Sequence, residues 1–126
     1  MTTTPTIGIA RAYDDLTGFS GARLLVDRIW PRGLRKADLR LDDWIREVAP
    51  SSNLRKWFAH DPDKWDGFRA RYRAELDANT QAVARCLAWC QKGPVVLLYG
   101  AKDRDRNQAV VLRDYLGEKL ARENAT

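Results

Sequence analysis

Apolar positions cluster most tightly in "PVVLLYGAKD", residues 94 to 103, where a continuous run is boxed in by Gly93-Pro94 and Gly100. A short unbroken run of β-branched residues and leucine between turn residues predicts a strand covered on both faces. "ARLLVDRI", 22 to 29, has the same character through Leu24, Leu25 and Val26, and polarity returns only at Asp27 and Arg28. That strand is buried at its start and open at its end. "TIGIARAY", 6 to 13, alternates weakly and predicts a first strand, with a turn in "DDLTGFSG" behind it.

Between and after these runs the period changes to that of helices. "LDDWIREVA", 41 to 49, predicts a short helix stopped by Pro50, and "SSNLRKWFA", 51 to 59, a second one capped by Ser51 or Ser52. A third opens at Asp61 as N-cap, with Pro62 in the first position and Asp63 at the positive end of the dipole; Trp65, Phe68, Tyr72 and Leu76 form its core stripe. Residues 80 to 92 predict a fourth, with Val83, Cys86, Leu87 and Cys90 on one face, and 105 to 121 a last one that buries Ala109, Leu112, Leu116 and Leu120.

A long helical stretch between the second and third strands is what a parallel pair needs, with a right-handed crossover. The expected architecture is a small Rossmann-like α/β domain, a short, mainly parallel sheet with helices packed around it. In open parallel sheets ligands bind beyond the carboxyl ends of the strands. "DRIWPRG" and "YGAKDRDRN" lie at those ends, so parallel neighbouring strands would bring both segments to one edge.

Composition narrows the class. The 126 residues fit one compact domain, 1–126, with flexible ends over 1–5 and 122–126. "MTTTPT" lacks a charged stretch with an apolar run behind it, and no apolar run reaches membrane-spanning length, so a cytoplasmic protein is expected. Cys86 and Cys90, four apart on one helix, offer too few ligands for zinc and are expected as buried free thiols. No metal and no cofactor are called for. The net charge is +5, and residues 23 to 40 carry +4 of it, a local field suited to phosphates or carboxylates or, equally, a solvated loop.

The candidate chemistry follows that field. Arg28 and Arg32 bracket Trp30-Pro31; each guanidinium offers a rigid fork of donors for an anion, and an indole can stack on a flat ligand. Lys102 would add a third cation, Tyr99 a second stacking ring, and Asn107 a polar contact. Against this stands a bland alternative in which Trp30 packs into the core and the arginines pair with Asp27 or Asp103. Those aspartates, flanked by arginines, suit orienting a cation, and Asp103 or Asp105 can also cap the final helix. His60 is the one residue with an ordinary pKa near neutrality, a reserve acid-base group or a local packing residue against Trp65. Asp103 and His60 are thus the catalytic candidates. A small anionic or nucleotide-like ligand at the carboxyl ends of the strands is the expected partner, with or without turnover. A nucleic-acid- or protein-binding module is the alternative, through Lys64, Arg69, Arg71 and Arg73, although acidic residues nearly balance that helix.

The blocks "LLVDRIWPRGLRK", "WIREVAPSSNLRKWFAHDPDKWDGFRARYRAEL" and "VVLLYGAKDRDRNQAVVLRDYL" resemble, in order and spacing, those of the YeaO-like proteins within the domain of unknown function numbered 488. The matching positions include Asp27, Arg28, Trp30, Pro31, Arg32, Gly33, Trp57, His60, Asp61, Pro62, Trp65, Tyr72, Tyr99, Asp103 and Asn107. The resemblance implies a small α/β fold and carries no established activity. Relatives often place a histidine just before the asparagine, where this chain has Arg106.

Overall fold

The computed structural model describes residues 6–124. Four parallel strands form one sheet in the order β1-β4-β2-β3, with β1 at Ile7–Arg11, β2 at Ala22–Leu25, β3 at Asp43–Trp44 and β4 at Val95–Tyr99. The central strand β4 is buried along its length, as its apolar run predicts. Its register sets Ile9 and Leu24 on either side of Leu97.

Alternation along the strands divides the core in two. Leu24, Val26, Val95, Leu97 and Tyr99 face a large apolar cluster with α2 (Ser52–Phe58), α3 (Trp65–Ala78), α4 (Thr80–Lys92) and α5 (Gln108–Asn124). Leu25, Val96, Leu98 and Ala10 face a smaller cluster made by Leu16, Leu39 of the short α1 (Lys36–Leu39), Trp30 and Trp44. Nearly all the helical mass therefore lies on one side. Glycine is required where β2 begins: Gly21 has φ +106°, and a Cβ there would sit 2.3 Å from the Pro94 carbonyl oxygen.

The helix expected over 41–49 does not form. Asp42 and Ile45 donate instead to the carbonyls of Arg23 and Leu25, both at 2.9 Å, which makes Asp43–Trp44 an edge strand, and a single 3-10 turn follows at Arg46–Val48. Sheet pairing and burial of Ile45 and Val48 override the weak helical pattern. The strand expected over 22–29 ends earlier, although Val26 still donates to Leu98. The last helix starts at Gln108 and runs to Asn124, later at both ends than expected. Residues 1–5 and 125–126, most of the expected flexible ends, lie outside the described residues. Cys86 and Cys90 are buried and free, with burial pushing their thiols up to about 12 and about 11. Among the described residues no helix is long and apolar enough to cross a membrane.

Candidate functional site

The two turns at the ends of β2 and β4 meet at Asp27. Its Oδ2 accepts from the Gly100 backbone N–H at 2.7 Å, and its Oδ1 accepts from the Gln108 side-chain amide at the start of α5. Gly100 is suited to this approach, since a Cβ there would lie 3.0 Å from Oδ2. Burial is the largest influence on the Asp27 carboxyl and pushes it up to about 6; the Gly100 hydrogen bond, the Arg55 charge and Gln108 act in the opposite direction.

Around Asp27 opens a cleft of about 650 Å³, within the range of small-molecule sites. Three connections supply its walls. Asp27, Arg28 and Ile29 follow β2, Ala49 to His60 come from the 3-10 turn and α2, and Gly100 to Gln108 follow β4. Phe58 and Phe68 are buried and stacked with centroids 4.4 Å apart, an apolar wall. Arg28 is aimed by its own hydrogen bonds, Nη2 to the Ala49 carbonyl at 3.2 Å and Nε to that of Pro50 at 3.4 Å. Arg55 and Lys56 are exposed at the mouth, and Arg106 stands 3.7 Å from the Asp103 carboxylate. Among the described residues no carboxylate forms an ion pair with Arg28, Arg55 or Lys56.

Of the residues expected from sequence, Asp27, Arg28, His60 and Asn107 line this cleft. His60 follows Ala59 in the left-handed region, φ 58° after 47°, and its ring lies 6.1 Å from Phe58 rather than on Trp65. Such a conformation is unusual for two successive non-glycine residues. Asn107 caps α5 through Val110 N–H at 3.1 Å, the duty expected of Asp103 or Asp105. Asp103 instead closes the preceding turn, accepting from Asp105 and Arg106 N–H groups, and these hold its carboxyl below the usual range.

The remaining candidates point elsewhere. Trp30 belongs to the smaller core cluster on the other side of the sheet, its indole N–H donating to Leu34 at 2.7 Å and its ring set edge-on to Trp44 at 5.4 Å. The ring is occupied by packing and does not reach the cleft. Tyr99 is 1% exposed within the larger cluster, so no face is open for stacking. Arg32 and Lys102 are exposed and outside the cleft walls.

Arg55, Lys56 and Gln108 were not among the expected site residues. The available signal was the face of the 51–59 helix opposite Leu54 and Phe58, where Arg55 and Lys56 are adjacent. The cationic loop of residues 23 to 40 disperses: Arg23 binds the Leu39 carbonyl and Arg35 pairs with Asp38, leaving Arg28 as its contribution to the cleft.

Fold and cleft together define a small parallel α/β protein with a cation-rimmed recess at the carboxyl ends of its strands. The family model described as the inactive DUF488-N3 subclade matches residues 6–126, and the chain belongs to this YeaO-like family. The uncharacterized protein YeaO of Escherichia coli is 44% identical over 106 residues, 84% of this chain and 92% of that protein. The uncharacterized proteins Rv3073c of Mycobacterium tuberculosis and Mb3100c of Mycobacterium bovis are each 38% identical over 110 residues, 87% of this chain and 92% of theirs. No solved structure matches the chain.

Proposed function

We propose that the cleft at the strand ends binds a small anionic ligand without turning it over, in the cytoplasm. Cations outside ion pairs carry this reading: Arg28, Arg55 and Lys56 border one recess and none is within salt-bridge distance of a carboxylate among the described residues, the Arg55 charge acting on Asp27 only from farther away. Clustering like charges beside an apolar wall is costly unless an anion arrives to offset it. Arg28, held by two backbone carbonyls, presents its guanidinium in a fixed direction, and Arg106 adds charge from the opposite wall. Asp27 sets the depth to which an anion descends, because its own charge opposes one at the floor.

Binding is favoured over catalysis by membership of a subclade described as inactive and by the position of Asp103, turned into its own loop. His60 borders the cleft, but among the described residues no carboxylate pairs with it to orient it as a base. The alternative, a nucleic-acid-binding face on α3, is weaker because its cations are engaged. Arg69 and Arg73 pair with Asp66 and Glu118, while Lys64 and Arg71 lie over the Trp57 ring.

Calorimetric titration with pyrophosphate, in the wild type and in the double variant Arg55→Ala/Lys56→Ala, tests the reading. Losing two charge-assisted contacts, each on the order of 1.5–3 kcal/mol, weakens binding by about a hundredfold or more, and affinity falls as salt is raised. Undetectable binding in the wild type, or equal affinity in the double variant, overturns it.

A further inference from the structure

We infer that the ligand of this cleft is a phosphorylated ring compound whose ring carries an N–H or O–H donor, and that Asp27 is the specificity-determining residue accepting from that donor. This rests on the anion-binding reading above and adds what occupies the interior.

The cleft is graded from mouth to floor. Arg55, Lys56 and Arg106 are exposed, whereas Phe58 and Phe68 are buried and Asp27 is partly buried between the ends of β2 and β4. A phosphate is therefore met at the mouth, and a phosphate alone would leave the apolar wall and most of about 650 Å³ unused. Aromatic walls are suited to a flat or puckered ring, which gains from burial and edge contacts.

Asp27 dictates what that ring bears. A carboxylate has about four acceptor positions across its two oxygens, and here the protein supplies one donor to each, Gly100 N–H to Oδ2 and the Gln108 amide to Oδ1. The remaining positions belong to a side chain that lines the recess. A ring lacking a donor would take water away from the remaining acceptor positions of that charged group and put nothing in its place, which costs affinity relative to a ring that fills one of them. A second anion at the floor is opposed by like charge. The ligand thus has its negative charge at one end and its donor at the other, as nucleoside monophosphates and sugar phosphates do.

The experiment compares uridine 5′-monophosphate, ribose 5-phosphate, phenyl phosphate and inorganic phosphate by calorimetry on the wild type and on Asp27→Asn. Phenyl phosphate places the same anion on a ring without a donor. At least one of the two donor-bearing compounds is expected to bind about tenfold or more tightly than phenyl phosphate, and Asp27→Asn is expected to erase that preference, with phenyl phosphate gaining affinity as the charge at the floor is removed. The two donor-bearing arms separate a base edge from a sugar hydroxyl. In the unmodified protein, the Gly100 amide resonance should move further with the donor-bearing compound than with phenyl phosphate, a readout that does not depend on a variant. Equal affinities in the wild type, a preference that survives Asp27→Asn, or an unmoved Gly100 amide overturns the inference while the anion reading stands. If none of the four compounds binds, the anion reading itself falls.

Discussion

At the scale of single residues, Asp27 is the group whose chemistry departs furthest from its ordinary state among the residues that line the cleft. Burial moves its carboxyl from 3.8 to about 6. A raised carboxyl means that the folded chain holds this proton more firmly than the unfolded chain does. The contribution to stability is most favourable below about pH 4 and is lost as pH rises to about 6, beyond which the buried charge costs about 3 kcal/mol. Asp27→Asn removes that charge and keeps a group able to accept from Gly100 and, with the amide reversed, to donate to Gln108. We expect urea unfolding at pH 7.5 to show this variant more stable by up to about 3 kcal/mol, with the gain shrinking towards pH 4. A variant less stable at both values would mean that the latch between the two strand ends outweighs the buried charge. A residue kept at a stability cost is a mark of functional sites.

At the scale of elements, α2 ties the cleft to the helical layer. Ser51 caps it by accepting from Leu54 N–H at 3.1 Å, while its own N–H and hydroxyl donate to the Glu75 carboxylate of α3 at 2.8 and 2.6 Å. Ser51→Ala removes the cap and one of the donors to Glu75, and a loss of about 1–2 kcal/mol is expected in a thermal melt. The same local logic explains what could be read from sequence. The strand β4 and the extent of α4 were legible because each is dictated by neighbours in the chain, and so was Asp61 as a cap, although it caps a 3-10 turn at Pro62–Lys64 that leads into α3 rather than α3 itself. The stretch 41–49 was not, because its conformation depends on pairing with β2 and on the Trp44 indole N–H donating to the Asp27 carbonyl at 2.7 Å, partners far away in sequence. Site residues divide likewise. Asp27, Arg28 and Asn107 follow from strand ends, whereas Arg55 and Lys56 arrive through the packing of a helix that precedes β4 by 36 residues or more.

At the scale of the whole molecule, β4 is paired on both sides and buried throughout, while β1 and β3 each have one partner. Native-state hydrogen exchange is expected to be slowest at the amides of Val95–Tyr99, governed by global unfolding, and faster at Asp43–Trp44, which can part from β2 locally. Equal protection across the sheet would contradict this ranking. The large cluster joins side chains from α2 to α5 to one face of these strands, so the cores on the two sides depend on the same central strand.

The recess around Asp27 draws its walls from three separate segments, 27–29, 49–60 and 100–108, together with Phe68 of α3. No short fragment would contain it, because its lining is spread over residues 27 to 108 and comes together only when β4 pairs with β2. Occupancy and integrity of the chain are therefore thermodynamically linked: a guest present at a hundred times its dissociation constant would deepen the native well by about 2.7 kcal/mol, nearly the whole penalty that the acidic floor imposes when the chamber stands empty.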